Sequence, residues 1–241
     1  MGCAFVTGAA GGMGTAICTA LVEQGRRVVL ADRDEAGLAR LADRLGSAVH
    51  PLQLDISDAQ AVGQVLDRVP AEFGPIEVLV NNAGHDIGGR KRFDQGDADD
   101  WAAIIETNLV GLMRVTRAIL PGMVARNTGD VVNMGSISAL RLVPDMAPYS
   151  ASKAGVHMLT DILRGELAHT GIRVTEILPG LTRTGIVRTR YRGDEGQEKA
   201  YFDQFGMALS PEDVARSIMF ALNQPRDVQI AQIVVLPSNR W

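Results

Sequence analysis

The chain has 241 residues, 46% of them hydrophobic and 22% charged, with a formal net charge of -4. That balance suits one large α/β domain over residues 1–241 with a sizeable buried core, and it speaks against a nucleic-acid partner. No apolar run approaches the length of about 18 residues that a membrane span needs, so no membrane partner is expected.

The first strand-like run is Cys3–Val6, which leaves no room for a secretory leader, and the cytoplasm is the expected compartment. Cys3 and Cys18 fall on this strand and the following helix, where small buried thiols suit a reducing environment. A glycine-rich turn follows, Thr7-Gly8-Ala9-Ala10-Gly11-Gly12-Met13-Gly14, and then a helical pattern with Ile17, Leu21 and Val22 on one face that ends at Gly25. The next strand, 27–31, delivers Asp32. Strand, glycine turn, helix, strand and acid stand in the order of a dinucleotide-binding βαβ unit. The glycines let backbone approach a pyrophosphate, the helix N-terminus offers free N–H groups, and Asp32 is placed to accept from ribose hydroxyls. Its carboxylate would repel a 2'-phosphate, which favours NAD. The neighbouring Arg33 can pair with that phosphate and keeps NADP as the less favoured alternative.

A helix over 34–45 and a strand over 48–54 lead to Asp55, which reads either as a helix cap or as a cofactor contact beside Ile56. A helix is predicted over 58–72 and an apolar strand over 76–80. That strand stops at Asn81-Asn82-Ala83-Gly84, a turn or a cofactor-binding strand end. Residues 85–100 read as a polar loop before a helix over 101–125, and Asn108 inside that helix is expected to face solvent on residue type alone. A strand over 130–134 delivers Ser136 and Ser138, and a strand over 173–178 ends in Pro179-Gly180-Leu181-Thr182-Arg183-Thr184. Residues 185–209 lack a clean period, which predicts an irregular functional lid. Basic clusters at Arg90-Lys91-Arg92 and at Arg188, Arg190 and Arg192 lie in loop-like segments, where solvated charge is the expectation. A helix capped at Ser210-Pro211 runs to about residue 223, and a strand over 231–236 closes the chain. Alternation throughout predicts a Rossmann-type, doubly wound parallel sheet of about seven strands with helices on both faces.

Between Ser136 and the strand at 173 lies a long helix bearing Tyr149 and, four residues later, Lys153. That spacing stacks the two side chains on one helix face. An unperturbed phenol has a pKa near 10, and making it a base at neutral pH takes roughly 4 kcal/mol. A cation about 4 Å away supplies about that much at an effective dielectric of about 20, so Lys153 is expected to depress the phenol.

These motifs resemble the short-chain dehydrogenase/reductase family. The resemblance rests on Thr7-Gly8-x-x-x-Gly12-x-Gly14, Asn81-Asn82-Ala83-Gly84, Ser136, Tyr149-x-x-x-Lys153 and Pro179-Gly180-x-x-x-Thr184, in family order across residues 3 to 184. It implies a catalytic set of Tyr149 as general acid/base, Lys153 as its activator and ribose anchor, Ser136 orienting the substrate oxygen, and Asn108 at a helix break holding a water beside Lys153. It further implies that Gly8, Gly12 and Met13 line the pyrophosphate, and that Asp32 and Arg33 meet the ribose. Asp55, Ile56, Asn81, Ala83 and Gly84 fall to the adenosine side, and Pro179, Gly180, Thr182 and Thr184 to the nicotinamide side. Met13 replaces the family's usual isoleucine, and the ending Leu236-Pro237-Ser238-Asn239-Arg240-Trp241 departs from the family's common one.

The expected activity is NAD-dependent interconversion of a secondary alcohol and a ketone. The alternatives are an NADPH-dependent ketoreductase of the 3-oxoacyl-carrier type and a non-catalytic NAD(H)-binding sensor or assembly subunit. Expected substrate contacts are His85, Ser138, Leu140, Met146 and Ile186, with Asp145, Tyr191 and Phe202 as further candidates. No metal is expected. The family usually forms tetramers through the helices at 101–125 and 149–170, so a homotetramer is implied.

Overall fold

Successive residues of a strand face opposite sides of its sheet, and this chain makes both sides apolar, as a sheet covered by helices on both faces requires. The computed structural model describes residues 2–239. Met1 and the closing Arg240 and Trp241 lie outside the described residues, and with them part of the unusual ending. Strands and helices alternate as β1 (Cys3–Thr7), α1 (Gly12–Glu23), β2 (Arg27–Asp32), α2 (Glu35–Leu45), β3 (Val49–Gln53), α3 (Ala59–Gly63) and β4 (Ile76–Asn81). Then come α4 (Ala98–Ile105), α5 (Leu112–Arg126), β5 (Gly129–Met134), α6 (Ala147–Glu166), β6 (Ile172–Pro179), α7 (Ile186–Arg190), α8 (Glu195–Asp203), α9 (Pro211–Leu222) and β7 (Gln232–Val235).

The seven strands are parallel, in the order β3-β2-β1-β4-β5-β6-β7. Ala4 and Val6 of β1 join Ile17, Leu21, Leu38, Leu41 and Ile218 on one face, while Cys3 and Phe5 join Val62, Val115, Ile119 and Met123 on the other. Cys3 and Cys18 are buried free thiols in these two different clusters. The strand order reverses between β1 and β4. Loops leaving adjacent strand ends diverge there and open a crevice.

Three predicted elements differ. The helix expected over 58–72 stops at Gly63 and continues as short 3-10 turns at Val65–Arg68 and Ala71–Phe73, because Gly63 weakens the helix and Pro70 cannot continue one. The helix expected over 101–125 starts at Ala98, where Asp97 caps the N–H groups of Asp99 and Asp100. It passes through a π-helical stretch, Glu106–Gly111, before α5. The lid is not irregular: residues 185–209 contain α7 and α8, and its roots are tied by Leu209 N–H to Leu181 O (2.9 Å) and Arg183 N–H to Leu209 O (2.8 Å).

Candidate active site

The loops after β1, β2, β3, β4, β5 and β6 converge with the 185–209 flap around one cavity of about 680 Å³. Gly8 (φ +65°) turns the chain where a Cβ would come within 2.8 Å of Ala83 Cα, and a Cβ at Gly14 would lie 2.0 Å from Gly8 O. Only glycine allows that tight approach. Helix α1 has Gly11 at its N-cap, with no side-chain cap and no acid in its first turn, so its leading N–H groups and dipole are available to an anion. Asp32 faces the turn from β2: its Oδ2 accepts from Ala10 N–H and its Oδ1 from Asp34 N–H, both at 3.0 Å. Each oxygen retains acceptor capacity for a further donor. This donor and acceptor set fits the pyrophosphate and a ribose of a nicotinamide dinucleotide.

At the third strand end, Asp58 caps α3 by accepting from Gln60 N–H (2.9 Å) and Ala61 N–H (3.0 Å). Asp55 is therefore not the cap. Its Oδ1 accepts from the Ser57 hydroxyl (2.7 Å) and N–H (2.9 Å), and these bonds hold its carboxyl below the usual range.

The long helix α6 presents Tyr149 and Lys153 to the same cavity, with Ser136 opposite at the end of β5. The Ser136 hydroxyl hydrogen-bonds the phenol and lowers its pKa, and it accepts from the Ser138 hydroxyl at 3.0 Å. Lys153 Nζ donates to Met134 O at 2.8 Å and lies 5.8 Å from the centre of the Tyr149 ring. The expected depression of the phenol by this lysine is not found. Burial dominates and, with the Asp86 charge, pushes Tyr149 up to about 12, while burial pulls Lys153 down to about 8. Both groups are taken out of water, which disfavours the charged form of each.

Asn108 is fully buried in the π-helical stretch rather than facing solvent. The local widening lets its Oδ1 accept from His85 N–H (2.9 Å) while Nδ2 donates to His85 O (2.9 Å) and Ser152 Oγ (3.1 Å). A Cβ on Gly84 would sit 3.0 Å from Asn108 Oδ1 and 3.7 Å from Lys153 Nζ, so Gly84 keeps open the gap between them.

Most of the residues anticipated from sequence line the cavity, but Asn81, Asn108 and Leu140 do not. Asn81 is buried and stitches the sheet, its Nδ2 donating to Asn133 Oδ1 (2.8 Å) and Thr116 Oγ1 (2.9 Å). The neighbouring Asn82 is the one in the wall, bridging to Thr7 O (2.9 Å) and Gly8 O (3.0 Å). Leu140 is exposed because the 3-10 turn after Ser136 rolls it outward. Asp145, Tyr191 and Phe202 stay out of the wall, whereas Tyr201 and Phe205 of the flap form part of it. His85, Ser138, Met146 and Ile186 line it as expected. Burial lowers the His85 pKa and favours a neutral ring, with Nε2 3.2 Å from Thr107 Oγ1. Arg190, expected in solvent, is buried in the wall.

Residues 2–195 match the family model described as short chain dehydrogenase. The chain belongs to the short-chain dehydrogenase/reductase family. It is 38% identical over 235 residues to the NADP-dependent 3-hydroxy acid dehydrogenase of Escherichia coli K12, covering 97% of this chain and 94% of that relative. The NADP-dependent 3-hydroxy acid dehydrogenase of Schizosaccharomyces pombe is 35% identical, covering 98% and 92% of the two chains. The closed form of serine dehydrogenase complexed with NADP+ superimposes with a TM-score of 0.95 at 36% identity, covering 99% of this chain and 96% of that one. As a short-chain dehydrogenase/reductase, the protein is an oxidoreductase acting on hydroxyl groups.

Proposed function

We propose that the protein interconverts a secondary alcohol and a ketone with NAD as cofactor, and that its substrate is a hydroxy acid, the class its relatives are named for. The observation carrying the reaction is the meeting of Tyr149, Ser136 and Lys153 on the wall of one dinucleotide-sized cavity. The nicotinamide, when bound, supplies the hydride acceptor or donor. Tyr149 Oη moves the proton, giving it to the carbonyl oxygen in reduction and taking it from the carbinol in oxidation. Ser136 directs a hydrogen bond at the same oxygen. Lys153 holds the ribose, and Asn108 keeps the adjoining backbone at His85 in place. A phenol raised to about 12 is protonated at neutral pH, the form that gives its proton in reduction; oxidation needs the phenolate.

NAD is favoured by charge at the end of β2. Asp32 and Asp34 both line the cavity there against the single Arg33, and two carboxylates oppose a 2'-phosphate. The relatives' names point to NADP, with Arg33 as the residue that would receive the phosphate.

Tyr149→Phe is expected to abolish turnover of a panel of secondary alcohols and ketones while leaving NADH binding, followed by fluorescence, intact. Retained turnover would end the assignment of Tyr149. Comparing kcat/KM for NAD and NADP in the wild type tests the cofactor: a tenfold or greater preference for NADP overturns the NAD reading. The protein is further read as a cytoplasmic homotetramer. Exposed Met113 and Val124 on α5 and Met158 and Ile162 on α6 offer apolar surface for assembly, which sedimentation would measure.

A further inference from the structure

Charge divides the cavity wall. Its acids, Asp32, Asp34 and Asp55, all lie at or just beyond the ends of β2 and β3. The loop after β4 and the flap contribute Arg90 and Arg190, and no acid joins them in the wall.

Arg190 is only 4% exposed. Its Nε donates to Asp86 Oδ2 at 2.7 Å, and its guanidinium lies 4.8 Å from the centre of the Tyr201 ring. Its Nη1 is buried and has no hydrogen-bond partner among the described residues. Arg90 repeats the pattern: Nη2 donates to Pro144 O at 2.8 Å, and the buried Nε has no partner among the described residues. Asp86 is 3% exposed and sits behind Arg190, outside the wall. Two guanidiniums against one carboxylate leave one positive charge in excess.

A buried donor without an acceptor is costly unless a ligand completes it. A planar guanidinium held from behind, with free N–H groups beside the reacting phenol, has the geometry to receive a carboxylate. We propose that Arg190 binds the carboxylate of the substrate through Nη1, with Asp86 fixing the guanidinium and Arg90 supplying the excess charge. This rests on the dehydrogenase reading above and adds the residue that recognises the acid. A neutral alcohol would leave the same donors unpaired, so discrimination follows from what the site loses without an anion.

The test compares 3-hydroxybutyrate with 3-hydroxybutyramide as substrates of the full chain. The wild type is expected to prefer the acid, and Arg190→Met to lower the acid-over-amide ratio of kcat/KM by about 30-fold or more, mostly through KM. Arg190→Lys, which keeps the charge but not the fork, is expected to lower it by less. Should the methionine variant not fold, dead-end inhibition of the wild type decides: butyrate should inhibit at least about tenfold more tightly than butyramide. A wild-type preference for the amide, an unchanged ratio in Arg190→Met, or equal inhibition overturns the assignment while leaving the dehydrogenase reading intact. Absence of turnover across the whole alcohol and ketone panel overturns both.

Discussion

Two buried aspartate–arginine pairs sit at opposite ends of the sheet. At the start of β5 and β6, Asp130 pairs with Arg173 at 2.6 Å and with Arg226 at 2.8 Å. Every nitrogen of Arg173 is occupied: Nη1 donates to the carbonyls of Gln224, Pro225 and Val228, and Nη2 to that of Leu222. At the other end, Asp86 pairs with Arg190 at 2.7 Å, and Nη1, beside the cavity, has no partner among the described residues. The two pairs share composition, geometry and burial. Only the bonding of the remaining nitrogens tells a clamp, which closes β6 onto the α9–β7 connection, from a group prepared for a ligand.

Breaking the clamp should have the largest effect. Arg173→Met is expected to lower unfolding free energy by about 3–5 kcal/mol, because four carbonyls and one oxygen of a buried carboxylate lose their donor. Urea unfolding measures this, and a loss below about 1 kcal/mol would equate the two pairs.

The same substitution at Arg190 should cost about 1–3 kcal/mol at neutral pH, and the loss should shrink as pH falls. Burial raises the Asp86 carboxyl above its ordinary value, and without Arg190 it rises further. A group with a folded pKa above its unfolded one stabilises the fold fully below the unfolded pKa and loses that contribution as pH rises. Acid therefore relieves the Arg190 variant. The Arg173 variant keeps Arg226 beside Asp130 and should show little such relief.

Lys153 stands between the two cases, a buried cation held by the Met134 carbonyl. Its folded pKa is about 8, below its ordinary value of 10.5. Between those values the unfolded chain binds more protons, so stability should rise with pH. The gain is roughly 0.7 kcal/mol across the pH unit centred near 8, and Lys153→Met should remove that slope in urea titrations.

The strands and the glycine turn were legible because each rests on a local rule: alternation, an apolar run, or a turn only glycine permits. Family order carried Tyr149, Lys153 and Ser136 to one wall. Arg190 escaped because the stretch around it reads as aperiodic. In the structure α7 puts Ile186, Val187 and Arg190 toward the protein while Arg188 and Arg192 are exposed, a helical spacing visible only over one turn. Leu140 and Asn81 misled for a related reason. A residue next to a functional one sits one step round a turn or strand, and sequence does not say which of the two faces the ligand. Spacing put Tyr149 beside Lys153 but gave no measure of the lysine's charge against burial, which raises the phenol.

The roots of the flap carry a consequence for how such an enzyme diversifies. Leu181, Arg183 and Leu209 are joined through main-chain groups, so the junction imposes no side-chain requirement on what lies between. Between these roots the side chains still matter, because Ile186 packs against the cluster of Ile104, Met146 and Tyr149 and Arg190 pairs with the buried Asp86. A substrate preference seated in the flap would therefore have to change within the limits those two contacts set.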